Sequence, residues 1–305
     1  MAANLPEHQI SELFNHADSD LTIRSSDNVL FRVHKRNLET YSPAFAGAGA
    51  FPATGLEDIA LPESSAVLEL MLQYVYLQLQ PDLSHTEFEV LAGLAEAVEK
   101  YEIYSAMEVC KMHMRSRISP QTAFDVLTYA TRHGHANIAD EAAIHALHVP
   151  TVTMLDALPL YYFRAWVLFQ QSWSDIHRRV LAAEDPWHVL NERNGYTSHC
   201  RRWARIWSIL MCYLRNARVP AELSIGFDKV QSPYELLSDR ENMQPDLPRA
   251  YHDVPPEPFP DCFFGGDCFD CELQLKRWAD MATSEGKTLP KLSSYLVPAR
   301  TLMAV

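Results

Sequence analysis

The sequence predicts an α+β protein: a small sheet with helical hairpins, followed by an all-α extension and an irregular Cys-containing C-terminal region. Three observations carry the prediction. Between Leu21 and Val33, apolar and polar residues alternate as on half-buried strands, with Ser25-Ser-Asp-Asn28 supplying turn chemistry between them. From Ser64 onward, apolar residues recur at helical spacing over several segments. Residues 244–260 hold six prolines, and three cysteines follow between Asp261 and Cys271.

Element by element, residues 5–15 read as a short helix with Leu5, Ile10, Leu13 and Phe14 on its apolar face. Leu21 and Ile23 mark one strand, and Val29, Phe31 and Val33 the next. After His34-Lys35, Leu38, Tyr41 and Phe45 fall at helical spacing, and Ser42-Pro43 starts a new turn. Ala46 to Gly55 is small and flexible, as a loop requires. Leu56 to Leu61 reads as a third strand closed by Pro62. Leu68, Met71, Leu72, Val75 and Tyr76 form a buried helical stripe over Ser64 to Leu77, broken at Pro81-Asp82. Ser84 and Glu87 have capping-box spacing for the next helix, which carries Phe88, Leu91, Ala95 and Val98 on one face. Tyr104, Met107, Cys110 and Met114 mark another helix that ends near Pro120.

These segments resemble the BTB (POZ) domain in order and in wording. Asp20, a strand, a short turn, Phe31-x-Val-His-Lys35, Leu38 and Ser42-Pro-x-Phe45 match its opening. Leu68 to Tyr76 resembles the helix that ends in a Tyr-containing turn, and Leu91 to Tyr101 resembles its Leu-Leu-x-x-Ala-x-Lys-Tyr helix. The Cys110 helix resembles one that carries a cysteine in many members. The matches span residues 18–116, and their variants are most similar to uncharacterised fungal BTB proteins. The resemblance implies a protein–protein interaction module or scaffold with no catalytic residues, and His34 capping or packing at a strand-to-helix junction. It also implies homodimerisation, although the residues before Asp20 lack the long arm that exchanges between subunits in transcription-factor members. Members that act as ubiquitin-ligase substrate adaptors on a cullin scaffold carry an apolar-x-Glu motif before the third strand. Here Glu57 directly follows Leu56, a departure from that spacing.

Residues 118–186 read as a helical extension, similar to the BACK-like extension found in many members. Phe124 to Ala130 fits one helix stopping near Gly134, Ile138 to Leu147 a second, and Pro159 to Ala183 a long third. The organisation is therefore residues 1–17 as an N-terminal helix or arm, 18–117 as the BTB domain, 118–186 as the extension and 187–305 as a divergent helical region. In the last, Trp203, Ile206, Trp207, Leu210 and Leu214 form a stripe ending at Pro220, and a helix runs through Leu273, Leu275 and Trp278.

Composition narrows the function classes. Hydrophobic residues make up 48% and charged residues 21% of the 305, a globular balance. The formal charge is −13, from 26 basic and 39 acidic residues, which argues against nucleic acid and anionic membranes as partners. The N-terminus lacks a basic region followed by an apolar stretch, so the expected setting is cytoplasmic or nuclear, not secreted.

Among candidate chemistries, Cys268-x-x-Cys271 has the spacing of half a zinc knuckle. Cys262 lies just before Gly265-Gly266, and a fourth ligand would come from Cys200 or, alternatively, His199. A structural zinc on Cys200, Cys262, Cys268 and Cys271 stands against the simpler reading of free buried thiols. A zinc-dependent hydrolase on the same Cys/His cluster, or a transcriptional co-regulator acting through BTB contacts, are the rival functions. His133, His135, His145 and His148 crowd together without a His-Glu-x-x-His motif and read as solvated helix ends. The glutamates from Glu96 to Glu108 read as exposed helix faces. Gly47-Ala-Gly-Ala-Phe-Pro52 lacks the third glycine and the lysine of a phosphate loop.

Overall fold

The hairpin expected at residues 20–33 lies at the centre of a four-stranded sheet of β1 (Gln9–Asn15), β2 (Leu21–Arg24), β3 (Val29–Val33) and β4 (Ile59–Ala60), in the order β1-β3-β2-β4. A computed structural model of the chain describes residues 9–46, 59–183, 189–191, 197–199, 201–228 and 269–296. The chain divides into two compact units, Met1–Pro159 and Leu160–Val305.

In the first unit, β2 (Leu21–Arg24) and β3 (Val29–Val33) pair antiparallel, with Leu21 opposite Val33 and Ile23 opposite Phe31. All four side chains are buried, as the alternation requires, and each contributes about 1.5–3 kcal/mol of transfer free energy. The intervening turn closes through Ser25, whose Oγ accepts the Val29 N–H (2.9 Å), with Asn28 at φ 65°. Asparagine tolerates that left-handed backbone better than most side chains do. β4 (Ile59–Ala60) runs parallel to β2, and residues 56–58 of the expected third strand lie outside the described residues.

Residues 9–15, read from the sequence as part of a helix, form strand β1 (Gln9–Asn15), parallel to β3. Its register slips: β1 advances from Ile10 to Asn15 while β3 advances only from Leu30 to Arg32. The irregularity leaves Ser11 and Phe14 as the buried residues, three apart, and so imitates helical spacing in the sequence.

Helix α1 (Lys35–Tyr41) starts where the Lys35 N–H donates to Asp20 Oδ1 (2.8 Å), and buries Leu38. Helix α2 (Ser65–Gln73) starts beside the hairpin turn. The Ser65 N–H donates to Asp27 Oδ1 (2.8 Å), its hydroxyl donates to Asp27 Oδ2 (2.5 Å), and the Ser64 hydroxyl accepts from Val67 N–H. Burial pushes the Asp27 carboxyl up, but the hydrogen bonds from Ser25 and Ser65 outweigh it and hold the group below its ordinary value. α2 stops at Gln73 rather than Leu77, because Tyr76 turns to the sheet, where its hydroxyl accepts the His34 backbone N–H (3.0 Å).

α3 (Phe88–Lys100) begins later than the capping box implied. Glu87 is its N-cap without a side-chain bond, and the Ser84 N–H is taken by Asp82 Oδ1 (2.9 Å) in a local turn. Tyr101, after α3, donates its hydroxyl to Glu63 Oε2 (2.8 Å), beside Lys100 Nζ on Glu63 Oε1 (2.8 Å). The Ser42 hydroxyl donates to the Tyr101 carbonyl, and Phe45 stacks on the Tyr101 ring at 4.8 Å. Thus the Ser-Pro-x-Phe and Lys-Tyr segments meet in space. α4 (Tyr104–Ser116) buries Ala106, Cys110 and Met114. α5 (Ala123–Arg132) and α6 (Ala136–His145) form a hairpin through Gly134 at φ +76°, with α5 against α3 and α6 against α4, and α7 (Thr151–Ala157) follows.

The second unit is built on tryptophan. α8 (Leu160–Ala182) buries Trp166, Phe169 and Trp173. A small β5–β6 hairpin (Val189–Asn191, Thr197–His199) precedes α9 (Arg201–Asn216). α10 (Pro220–Asp228) begins at the proline expected to close the preceding stripe, since proline suits a first helical position. In α11 (Phe269–Lys287), Trp278 donates its Nε1–H to the Val180 carbonyl (2.9 Å) and meets Trp203 at 6.3 Å and the Phe227 ring edge-on at 5.5 Å.

Two stability measurements test this packing. A Cβ built on Gly93 lies 2.9 Å from Val67 Cγ2, a stiff and buried atom. Gly93→Ala therefore lowers stability in urea by about 1–3 kcal/mol from overpacking, less the gain in helix propensity. Combined with Val67→Ala it loses less than the sum of the single changes; strict additivity would disprove the contact. Asp27→Asn removes a cap worth about 1 kcal/mol at pH 7. Because the folded carboxyl lies below its ordinary 3.8, the difference from the parent chain shrinks as pH falls through that lowered value. A difference unchanged at pH 2 would show that charge plays no part.

Candidate protein-docking surface

Between α2 and α3 the chain is hydrogen-bonded to residues at both ends of α4. Near one end the Ser105 hydroxyl donates to the Tyr74 carbonyl (3.4 Å). At the other, Arg117 Nη2 donates to the carbonyls of Ser84 (2.5 Å) and Thr86 (3.4 Å). Leu83, 1% exposed, anchors the segment in the core. Leu77 and Leu79 are 98% and 94% exposed. On α4, Tyr104 and Met112 are 61% and 66% exposed and share a face with Glu108 at four-residue spacing. Large apolar side chains so placed gain nothing from burial within the unit.

Carboxylates border this face. Asp82 is fully exposed, and the hydroxyl and N–H of Ser84 hold its carboxyl below its ordinary value, with His85 and His113 adding to the effect. Glu102 stands at φ 55° in the α3–α4 turn, two residues before Tyr104. Glu108 pairs with Lys111 and Arg115 with Glu141.

Behind the surface, the histidines expected as solvated helix ends divide. His133 Nε2 lies 2.8 Å from Glu96 Oε2 and His135 Nε2 2.6 Å from Glu99 Oε1. Tyr129 donates its hydroxyl to Glu99 Oε1 (3.1 Å), and Arg132 pairs with Glu96 (2.6 Å). Glu96 and Glu99 are thus a seam between α3 and the α5–α6 hairpin rather than an open helix face. His148 instead stays exposed, its Nδ1 2.8 Å from the His145 carbonyl oxygen. The i, i+3 spacing of Glu96 and Glu99 was visible in the sequence, but their partners lie more than thirty residues away.

His34 packs at the strand-to-helix junction. Its Nδ1 is 3.1 Å from the Tyr76 hydroxyl, its ring lies 5.1 Å from that of His16, and Nε2 approaches Asp18 Oδ1 at 3.3 Å without full hydrogen-bond geometry. Backbone hydrogen bonding and the adjacent His34 hold Asp18 below its ordinary value. Cys110 is buried, and burial pushes its thiol up to about 12, leaving no thiolate near neutral pH.

Of the candidate zinc ligands, Cys271 is buried on α11 and His199 lies in β6, paired with Val189; Cys200, Cys262 and Cys268 lie outside the described residues. Among the described residues, no group of three or more His, Cys, Asp or Glu side chains is placed to hold a metal ion, and no helix is long and apolar enough to cross a membrane. Leu56 and Glu57, the altered adaptor motif, also lie outside the described residues.

No family model matches the chain. The Kelch repeat and BTB domain-containing protein 8 of Xenopus tropicalis is 26% identical to it over 127 residues, 41% of this chain. The chain spans 20% of the length of that frog protein. The likeness points to a BTB-like domain, and to a protein-interaction module of that distant type; it lends the fungal resemblance no support. The mixed architecture of a small sheet and many helices is compatible with such a domain.

Proposed function

We propose that the chain is a non-enzymatic docking protein of BTB type, and that the surface formed by the post-α2 segment and α4 receives its protein partner. The near-complete exposure of Leu77 and Leu79 beside a segment otherwise fastened to α4 carries this reading. A docking face needs a few large apolar anchors on a rigid support, surrounded by polar groups. Here Tyr104 and Met112 add aromatic and thioether surface on a helix whose opposite side is core. The resemblance to BTB proteins extends the reading to an adaptor on a cullin scaffold, and to self-association; both are outcomes of the experiments below.

The double variant Leu77→Ser/Leu79→Ser keeps the stability of the parent chain within about 0.5 kcal/mol, because neither side chain is buried. In affinity purification with mass spectrometry it loses proteins that the parent chain retains. An identical partner set would refute the assignment of this surface. A cullin scaffold among the lost proteins would make the chain an adaptor, and light scattering at micromolar concentration reads self-association directly.

A further inference from the structure

Charge is divided unequally between the two units. Met1–Pro159 holds 9 Lys and Arg against 21 Asp and Glu, a net −12. Subtracting these from the totals of 26 and 39 leaves 17 against 18 in Leu160–Val305, a net −1. The unit that exposes Leu77 and Leu79 thus carries nearly all of the net negative charge.

The charges around the docking face follow the same bias. Its cations are already engaged: Lys111 with Glu108, Arg115 with Glu141, and Arg117 with the carbonyls of Ser84 and Thr86. Glu102 and Asp82 are exposed and have no Lys or Arg partner among the described residues, and they mark opposite ends of the face. Glu102 precedes Tyr104 at the start of α4, whereas Asp82 accepts the N–H of Ser84, whose carbonyl is held by Arg117 just past the end of α4; the helix between them is roughly 20 Å long at helical rise.

Resting on the docking reading above, we propose that this face binds a basic amphipathic segment of a partner protein. Its apolar side chains would cover Leu77, Leu79, Tyr104 and Met112, and its Lys or Arg residues would meet Glu102 and Asp82. A second copy of this chain fits poorly. A two-fold interface joins one patch to itself, so either Glu102 meets Glu102 or the Glu102 end meets the Asp82 end. Both arrangements bring carboxylates together, which opposes association.

Fluorescence anisotropy on the full chain tests the proposal with two labelled helical peptides of about 16 residues, one of Leu and Lys and one of Leu and Glu. The Lys peptide binds at least about tenfold more tightly than the Glu peptide. Asp82→Asn/Glu102→Gln weakens the Lys peptide about fivefold and flattens its salt dependence, whereas Asp156→Asn/Glu272→Gln, exposed on α7 and α11 and outside this face, leaves it unchanged. Equal weakening by this second pair would mean diffuse attraction and would overturn the proposal. Equal binding of both peptides, lost in Leu77→Ser/Leu79→Ser, would remove the basic partner but keep the docking face. Full binding by the Leu77→Ser/Leu79→Ser chain would remove the face itself. A dimer of the chain alone that this variant abolishes would also overturn the proposal, in favour of a second copy.

Discussion

Two carboxylates at the ends of the β2 strand hold helix starts against the sheet. Asp20, ahead of β2, accepts the Lys35 N–H at the start of α1; Asp27, in the turn after it, accepts from Ser65 at the start of α2. Helix starts have backbone donors with no intrahelical acceptor, and a carboxylate there also faces the positive end of the helix dipole. The hairpin supplies both acceptors, and its register is fixed by the burial of Leu21, Ile23, Phe31 and Val33. A one-residue slip would expose these side chains and move both caps. The position of α2 then determines where Tyr76 turns back onto His34, and with it where the exposed segment begins.

Polar contacts between elements refine a framework that apolar burial establishes. Arg132–Glu96 and Arg115–Glu141 involve side chains that are substantially exposed, so each is worth less than about 1 kcal/mol. His135 and Glu99 are more enclosed, and Tyr129 shares the same carboxylate oxygen. Removing Glu99 would strand two donors in a half-buried seam, a larger penalty than breaking a surface pair. That seam keeps the α5–α6 hairpin on α3, while α6 lies against α4. The helix that bears Tyr104 and Met112 is therefore supported from behind.

What was legible in the sequence was periodic. Strict alternation located β2 and β3, and helical stripes located α2, α3, α4 and α8 to within a few residues. Errors arose where a local signal met a tertiary one. The slipped register of β1 spaced Ser11 and Phe14 three apart, and Ser84 with Glu87 looked like a cap until Asp82 took the Ser84 N–H. The His–Glu seam was hidden because its two halves are far apart in the chain. The exposure of Leu77 and Leu79 was hidden for a different reason: nothing in Leu77-Gln-Leu-Gln80 distinguishes exposed leucines from buried ones.

That indifference gives the exposed leucines their meaning. Leu77, Leu79 and Leu83 belong to one short segment, and only Leu83 contributes to the core. Single exposed leucines are ordinary on protein surfaces. Two within three residues, on backbone fastened to α4 at either end, form a fixed apolar feature rather than a loose loop tip. Folding of the unit would proceed equally well with polar residues at both positions, and solubility would improve. The apolar character of this segment is thus unexplained by the fold, and it is this unexplained exposure that the proposed docking role accounts for.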